Sequence, residues 1–385
     1  IESIARGTAV PEDYTEIDLA GKTIMPGIID AHAHGPYAGD DIIPQQNWNL
    51  LAHLALGVTT VHNPSSSAKS AFAAAEYART DRILGPRIFS TGEIVYGAKS
   101  TSWAPIDSLD DALAHVRRLA AQGAISVKNY NQPRREQRQQ VIEAARQEGL
   151  ISVAEGGSLY QLDMSMIADG ITGIEHNVPT LKMYDDVHQF WRQSGAGYTP
   201  TLVVTYGGLT SEDYFYQNTE VWKHPILSNF VPPSQLQARS VRRVAAPEED
   251  YRDDDSAAAA KILMDAGIMV NIGAHGQREG LASHWEMWSF ARGGFSPMEA
   301  LATATINPAR HLGMDKDIGS LEAGKLADLV IVDANPLDDI RNTDRISHVM
   351  INGRLYRAGD LSEEVTGTAT LSPFHWQTTP QGAIR

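Results

Sequence analysis

The sequence predicts an α/β protein whose core is a (β/α)8 barrel of the TIM type, with a small flanking β-sandwich. From residue 27 onward, short β-rich runs alternate with amphipathic helical stretches, which is the pattern of a parallel sheet. Eight such strand–helix units precede residue 317, and eight units close a barrel. No glycine-rich dinucleotide turn follows the first run, so an open doubly wound sheet is the weaker alternative.

The predicted strands occupy residues 28–32, 58–63, 87–91, 124–129, 151–155, 172–176, 198–204 and 268–274. Helices are predicted between them, and two of these stand out by their periodicity. The stretches "SLDDALAHVRRLAAQG" and "REQRQQVIEAARQEG" each end at a glycine, the residue that most often terminates a helix. Together these elements define a predicted barrel domain over residues 27–317.

Residues 205–255 exceed what a connection between two barrel elements needs. Insertions of that length are usually lids, binding loops or disordered segments. The tyrosine and tryptophan content of "YGGLTSEDYFYQNTEVWKHPIL" favours a lid over the barrel mouth, because disordered segments are poor in aromatic residues.

Both chain ends are predicted to build the flanking β-sandwich. Residues 318–385 contain short strand-like runs such as "ADLVIVD" and "ISHVMINGRLYRAG", and residues 1–26 have the same texture. The sequence lacks strand-like runs for the beginning of this sheet, so we expect the N-terminal part of the domain to be incomplete. Because the chain begins with Ile1 and not with Met, we expect a processed or truncated product.

Composition excludes several classes of protein. The formal net charge of −15 argues against a nucleic-acid partner, because phosphate binding requires a basic face. No apolar stretch reaches the roughly 18 residues of a membrane span. The absence of cysteine rules out disulfides, thiol nucleophiles and cysteine-ligated zinc, so a metal site would have to use His, Asp, Glu or Lys.

The predicted strands end in residues that bind metals or move protons. His32 and His34 lie two residues apart on the first strand, so they share one face, roughly 6.5–7 Å apart, and can bind one ion. Taken alone, the pair could equally be two ordinary histidines. Other strands end in residues of the same kind: His62, Lys128, Glu155, His176 and His275. Because barrel active sites form at the carboxyl ends of strands, this convergence predicts one shared site.

Six stretches resemble the amidohydrolase superfamily, in its imidazolonepropionase- and prolidase-like branch: "PGIIDAHAH", "LGVTTV", "SVKNY", "GIEHN", "EALATATINPARHLG" and "GSLEAGKLADLVIVD". Residues 154–177 are closer still to amidohydrolases fused behind a Tol-type β-propeller in large bacterial periplasmic proteins. That resemblance implies a periplasmic or extracytoplasmic location and a propeller region earlier in the same precursor. The sequence leaves open whether the protein forms a homo-oligomer.

The resemblance implies a binuclear metal site. His32 and His34 would bind the first ion and His176 the second, while Lys128, carboxylated by carbon dioxide, would bridge them. The site would hold two divalent metal ions. Zinc is the expected metal, and manganese or another divalent metal is the alternative. An uncarboxylated Lys128 paired with a carboxylate such as Glu155 is the alternative reading of the lysine.

Two positions depart from the family's pattern. The fifth strand usually ends in histidine and here ends in Glu155, which is also an adequate metal ligand. The eighth usually ends in aspartate and here ends in His275, which we expect to bind metal and to transfer the catalytic proton. His62 is expected beside the site as a pocket residue and not as a ligand.

Four residues are predicted to contact a small-molecule or short-peptide substrate. They are Tyr130 near the fourth strand end, Tyr206 at the start of the insertion, Arg134 and His284. The alternatives are a solvated helix face for Arg134 and a packed helix start for His284.

The function implied is hydrolysis of a carbon–nitrogen bond, in an amide, peptide or cyclic amide, by a metal-activated water, as in a dipeptidase or prolidase. Two alternatives remain open at this point. One is a lactonase or esterase that uses the same site. The other is a catalytically idle barrel that serves as a binding or assembly module of a larger periplasmic protein.

Overall fold

The fold is that of a computed structural model, which describes residues 1–7, 10–37, 42–98, 104–157, 159–240, 243–368 and 370–378. Its strands form two parallel sheets and one antiparallel sheet. The strands are β1 Thr23–Pro26, β2 Ile28–Asp30, β3 Val58–Asn63, β4 Arg87–Ser90, β5 Ser126–Asn129, β6 Ile151–Glu155, β7 Gly173–Glu175, β8 Gly197–Thr199, β9 Leu329–Val332, β10 Ile346–Ile351 and β11 Arg354–Arg357.

Fourteen α-helices alternate with or follow these strands in the described part of the chain. They are α1 Trp48–Ala55, α2 Ala68–Arg79, α3 Leu109–Gln122, α4 Arg135–Gln147, α5 Tyr160–Ala168, α6 Asp185–Ser194, α7 Ser211–Asn218, α8 Leu227–Phe230, α9 Pro233–Leu236, α10 Asp253–Asp265, α11 Leu281–Arg292, α12 Pro297–Thr303, α13 Ile306–His311 and α14 His375–Thr378. Short 3-10 helices cover Leu202–Val204, Val221–Lys223, Glu248–Asp250 and Ile340–Asp344. Over the described residues, no helix has both the length and the apolar character that crossing a membrane requires.

The predicted helix boundaries of α3 have a local cause. The Ser108 hydroxyl accepts a hydrogen bond from the Asp111 amide at the start of the helix. Gly123 ends the helix with φ 108°, a conformation that side chains disfavour. α3 then packs against α4 on the outside of the sheet.

The parallel strands form two groups in chain order, β2-β3-β4 and β5-β6-β7-β8. β2, β3, β5, β7 and β8 are buried at every residue, as expected of strands covered by helices on one side and filled by side chains on the other, while β4 and β6 have partly exposed positions. Seven of the eight predicted barrel strands are therefore present as regular strands. The seventh is shorter than predicted, since residues 202–204 form a 3-10 helix after the left-handed Thr201.

The prediction of a regular eighth strand over residues 268–274 is wrong, although the segment occupies the eighth strand's place. The Asn271 amide donates to the Tyr198 carbonyl in β8 (2.9 Å), and the Ala31 amide after β2 donates to the Ile272 carbonyl (3.3 Å). The segment therefore joins the last parallel strand to the first. Of its other amides, those of Ile268 and Ile272 donate to the Leu263 and Thr303 carbonyls outside the sheet, and those of Gly273 and Ala274 donate to side chains, which interrupts the ladder.

A second seam joins the two parallel sheets on the opposite side. The Val95 amide, in the segment after β4, donates to the Lys128 carbonyl in β5 (2.9 Å), and the Tyr130 amide donates back to the Val95 carbonyl (3.2 Å). With both seams in place, the parallel strands form an α/β barrel as predicted, and their carboxyl ends meet at one mouth.

The insertion over residues 205–255 folds as short helices packed on the barrel. The Phe215 ring of α7 stacks on that of Trp285 in α11 (5.4 Å between centroids), and Leu227 and Phe230 of α8 are buried. Its assignment as a lid stays a prediction, and residues 241–242 within it lie outside the described part.

The third sheet is antiparallel, in the order β1-β9-β10-β11, and brings together residues from both ends of the sequence. Thr23 lies opposite Val332, and the buried faces of Val330 and Val349 belong to the same apolar core as the start of β3. The division into a flanking domain (1–26 and 318–385) and a barrel domain (27–317) stays a prediction. Residues 379–385 of that flanking domain are outside the described part.

Candidate metal centre

Four histidines from three strand ends meet at the barrel mouth. The ring of His32 lies 4.9 Å from that of His34, 5.0 Å from that of His176 and 5.1 Å from that of His275, measured between centroids. His32, His176 and His275 each offer a ring nitrogen, and these atoms lie within 4.8 Å of one another. Burial lowers the pKa of His32 well below its ordinary value, with the charge of Lys128 adding to the effect.

The hydrogen bonds around His32 and His34 leave two ring nitrogens facing each other. Asn63 Oδ1 accepts from the Ser65 amide, so His34 Nδ1 must be the donor in its 3.0 Å contact with the same oxygen. His32 Nδ1 lies 2.6 Å from Glu175 Oε2. The remaining nitrogens, Nε2 of both histidines, are 3.1 Å apart. Nε2 of His34 therefore points a lone pair at its neighbour, an arrangement that a shared cation stabilises.

The same reasoning applies to His176. Thr201 Oγ1 donates to the Pro200 carbonyl (2.8 Å), so it accepts from His176 Nδ1 at 2.6 Å. His176 Nε2 is left with a lone pair, and it faces Glu155 Oε1 at 3.0 Å. Two acceptors at that distance repel each other unless a proton or a metal ion lies between them.

Glu155 also faces the buried Lys128, whose Nζ lies 2.7 Å from Oε2 of the carboxylate. Burial raises the pKa of Glu155, but a proton held between it and His176, together with the charge of Lys128, outweighs burial and leaves the pKa below the ordinary value. Imidazoles with an anionic oxygen and no thiolate suit zinc, manganese or iron. The residues present therefore fit divalent metal ions.

Three residues of this cluster adopt left-handed backbone conformations: φ is 71° at His176, 50° at Thr201 and 58° at His275. Such conformations cost roughly 1–3 kcal/mol each in residues other than glycine. They turn the side chains at the ends of β7, β8 and the eighth segment toward a common point. Strain gathered at one place is typical of a functional site.

Sequence reasoning missed three partners of the histidines: Asn63, Glu175 and Thr201. Glu175 is fully buried, and burial raises its pKa to about 8. Asn63 and Glu175 directly adjoin His62 and His176 in sequence, so polar residues at strand ends were an available signal. Nothing in the sequence marked Thr201, because its role depends on a left-handed turn.

The two predicted tyrosines lie near the cluster. The Tyr206 ring stacks on His176 at 5.2 Å between centroids, and burial together with the charge of Glu155 raises the pKa of Tyr206 to about 12. Asn177 fixes this position, because its Oδ1 accepts from the Tyr206 amide (2.7 Å) and its Nδ2 donates to the Tyr206 carbonyl (3.3 Å). Tyr130 is partly buried, and the charge of Glu155 contributes to raising its pKa after burial.

Two predicted substrate contacts are not brought to the cluster. His284 is fully buried in α11, where its Nε2 bonds to the Leu56 carbonyl at 2.9 Å, so the alternative of a packed helix describes it. Arg134 is half exposed and forms ion pairs with Asp107 and Glu136, as a solvated helix face does. The structure thus corrects both assignments.

His62 lies beside the cluster with both ring nitrogens engaged. Its Nδ1 is 2.9 Å from the Ala31 carbonyl, and its Nε2 is 2.7 Å from Ser126 Oγ. That arrangement agrees with a pocket residue and leaves no nitrogen for a metal.

Known proteins resemble the chain over most of its length. A probable imidazolonepropionase from Nematostella vectensis is 22% identical over 369 residues, which cover 89% of this chain and 82% of that protein. An imidazolonepropionase from Symbiobacterium thermophilum is 62% identical over 39 residues (10% of this chain). A 5-methylthioadenosine/S-adenosylhomocysteine deaminase from Moorella thermoacetica is 29% identical over 147 residues (32% of this chain). The last two alignments span only 9% and 34% of those curated relatives.

Solved structures share the fold at low sequence identity. A Xaa-Pro dipeptidase with bound methionine superposes with a TM-score of 0.69 at 21% identity, covering 93% of this chain and 92% of that one. A putative prolidase from Bifidobacterium longum gives a TM-score of 0.64 at 23% identity, over 90% and 84% of the two chains. The sequence profile of the amidohydrolase family matches residues 23–356. Because that match spans most of the sequence, the chain belongs to the amidohydrolase family.

Proposed function

We propose that this protein is a divalent-metal-dependent hydrolase that cleaves a carbon–nitrogen bond in a peptide-like or cyclic amide. The observation that supports it most is the close approach of potential ligand atoms, His32 Nε2 to His34 Nε2 at 3.1 Å and His176 Nε2 to Glu155 Oε1 at 3.0 Å. Amidohydrolases typically use divalent metals. Relatives named as a dipeptidase, an imidazolonepropionase and a phenylurea hydrolase support the bond type.

His32, His34, His176, Glu155 and His275 would hold the metal. When bound, divalent ions of this kind polarise a carbonyl group and lower the pKa of water. The protein's own residues set the geometry for that chemistry: Thr201 fixes the ring of His176, and Glu175 fixes that of His32.

His275 is the residue we propose for proton transfer. It is less buried than His32 and His176, so it is the more accessible of the three. In this role it takes the proton of the attacking water and returns it to the leaving nitrogen, and it does so only while its ring is released from the metal, because a coordinated imidazole has no lone pair left for a proton. Tyr206 and Tyr130 would line the mouth, contact the substrate and exclude bulk water.

We further propose two zinc ions and a carboxylated Lys128. Carboxylation would replace a cation beside Glu155 with an anion, and two adjacent anions are stable only with metal ions between them. The metal-loaded protein incubated with ¹³C-bicarbonate should show a carbamate carbon in its NMR spectrum, which Lys128→Gln lacks. A metal-loaded protein without that signal would leave Lys128 as an amine paired with Glu155.

A periplasmic or extracytoplasmic location, a propeller region preceding this chain and a homo-oligomer are also proposals. The first two are supported by the resemblance of residues 154–177 to propeller-fused amidohydrolases. Fractionation of the native host, with an antibody against this chain, would test location and precursor size together, and sedimentation would give the oligomeric state.

The decisive experiment combines metal content with turnover. Protein purified without added metal or chelator should contain about two divalent ions per chain by plasma mass spectrometry, and it should hydrolyse members of a panel of dipeptides and cyclic amides. His176→Ala should lose both properties, while His348→Ala, a histidine on β10 outside the cluster, should keep them. A barrel that stays free of metal after incubation with zinc and binds peptides without turnover would support a binding module instead. Turnover of lactones or esters alone would refute the bond type.

A further inference from the structure

The backbone that carries His275 is held by side chains from elsewhere in the fold. The backbone amides of residues 273–275 do not donate to the carbonyls of a regular parallel strand. Their acceptors are Glu286 Oε2 for Gly273 (3.3 Å), Asp30 Oδ1 for Ala274 (3.1 Å) and the His32 carbonyl for His275 (2.6 Å). Two buried carboxylates therefore replace the missing ladder immediately before the left-handed turn at His275.

Glu286 is bonded to a second loop as well. Its Oε1 accepts from the Val203 amide at 2.7 Å, in the 3-10 helix that begins directly after Thr201. The side chain is fully buried in α11, and each carboxylate oxygen is used by one loop. One residue thus connects the segment that presents His275 to the turn whose hydroxyl orients His176.

A second attachment lies one turn earlier on the same face of α11. Ser283 Oγ donates to Asp30 Oδ2 (3.0 Å), and Asp30 Oδ1 accepts from the His32 amide (3.1 Å). Residues three apart on a helix are neighbours, so Ser283 and Glu286 form one polar stripe on an otherwise buried helix. This stripe bonds to the Asp30 side chain at the end of β2 and to the backbone of Val203 and Gly273.

The segment has no room to shift without moving the cluster. A β-carbon placed on Gly273 would lie 2.6 Å from Thr199 Cγ2, 2.8 Å from His32 Cβ and 3.0 Å from Thr201 Cγ2. Displacement of Gly273 is therefore transmitted directly to its neighbours, because packed interiors do not absorb shifts of this size.

We propose that Glu286 is a positioning residue that holds the His275 segment and the Thr201 turn together, so that the rings of His275 and His176 face one point. The inference rests on the proposed function in so far as those rings bind metal. Glu286 touches no reacting atom in this role and acts only through the two backbone segments.

The test compares Glu286→Gln with Asp253→Asn. Glutamine keeps one acceptor oxygen and presents an NH2 group to the other amide, so one of the two attachments is lost. Asp253 is an equally buried carboxylate on α10, beside Arg292, without a bond to either loop. Thermal unfolding of both variants gives the general cost of altering a buried carboxylate.

The expected result is a specific loss at the site. Glu286→Gln should bind zinc about 10–100-fold more weakly than the wild type and show an altered visible spectrum with cobalt, whereas Asp253→Asn should retain both. In crystals of Glu286→Gln, His275 should leave its left-handed conformation or its ring should move away from that of His32.

Two outcomes would overturn the inference: unchanged zinc affinity in Glu286→Gln, or crystals in which His275 and Thr201 keep their conformations. If the wild type itself binds no zinc, the proposed function fails. The crystal comparison still decides the role of Glu286 in that case, because it does not depend on metal.

Discussion

Thr201 combines two properties that rarely occur together. Its left-handed backbone costs roughly 1–3 kcal/mol, and a β-branched residue is a poor choice for that conformation. Its hydroxyl donates to the Pro200 carbonyl and accepts from His176 Nδ1, which fixes both the tautomer and the orientation of that ring. The hydroxyl explains the presence of threonine where glycine would be less strained.

We expect Thr201→Val to weaken zinc binding about 10–100-fold with little loss of folding stability. Valine keeps the shape and the branched β-carbon but removes the acceptor for His176 Nδ1, so the imidazole can rotate or change tautomer. Zinc affinity measured by competition with a chromophoric chelator checks this. Thr205→Val is the matched control, because among the described residues the buried Thr205 hydroxyl bonds only to the Leu202 carbonyl. Equal effects in both variants would refute the assignment.

Asn177 links the end of β7 to the start of the insertion over residues 205–255 by hydrogen bonds. Asn177 follows His176 directly and makes two hydrogen bonds with the backbone of Tyr206, where the insertion begins. The Tyr206 ring is thereby held against His176. The position of the first insertion residues thus depends on the end of a barrel strand.

Asn177→Ala should raise KM several-fold while kcat changes less, because the metal ligands stay in place and the cover over them becomes mobile. Steady-state kinetics with the best substrate from the panel separates the two constants. Asn218→Ala on α7, whose side chain bonds within its own helix, should leave both constants unchanged. A fall in kcat without a change in KM would show that Asn177 acts on His176 instead.

The pattern of elements was predictable where local rules decide it. β3 and β6 have the predicted bounds, whereas β2 ends at Asp30, so His32 and His34 meet in the segment beyond it and not through strand periodicity. The irregular course of the eighth segment was not predictable, because its Gly273 and Ala274 amides bond to Glu286 and Asp30. The sequence around residue 273 does not indicate these partners. His284 was predicted to contact substrate and is instead buried in α11. This too could not be predicted locally, since which side of a helix is buried depends on what packs against it.

Considered as a whole, the molecule keeps several histidines uncharged in its interior. Burial lowers the pKa of His53, His62, His284 and His311 to about 4 in each case. His311 of α13 lies against two glycines at the beginnings of β7 and β8, where an added β-carbon would come within 2.6 Å of its ring. As the pH falls, the unfolded chain therefore binds protons at these histidines at a higher pH than the folded chain does.

The contribution of each of these histidines to the free energy of unfolding should therefore fall as the pH drops from about 6.5 to about 4. In that interval the unfolded state holds a proton that the folded state lacks, so each such histidine contributes a slope of up to about 1.4 kcal/mol per pH unit, and its contribution is complete above pH 6.5. In urea unfolding, the free energy of unfolding of the wild type minus that of His311→Gln should therefore decrease as the pH falls from about 6.5 to about 4. His348→Gln, partly exposed on β10, should follow the wild type more closely, and parallel curves for all three proteins would refute the prediction.

The hydrogen bonds between Asn177 and residue 206 involve only main-chain atoms of the latter. The path of the chain over the mouth is therefore independent of which side chain residue 206 carries. Replacing that tyrosine would change the shape and polarity of the ceiling above the cluster without moving its support. Selection for a new substrate, in nature or in a mutant library, could thus act on this single codon while the metal ligands and the barrel remain as they are.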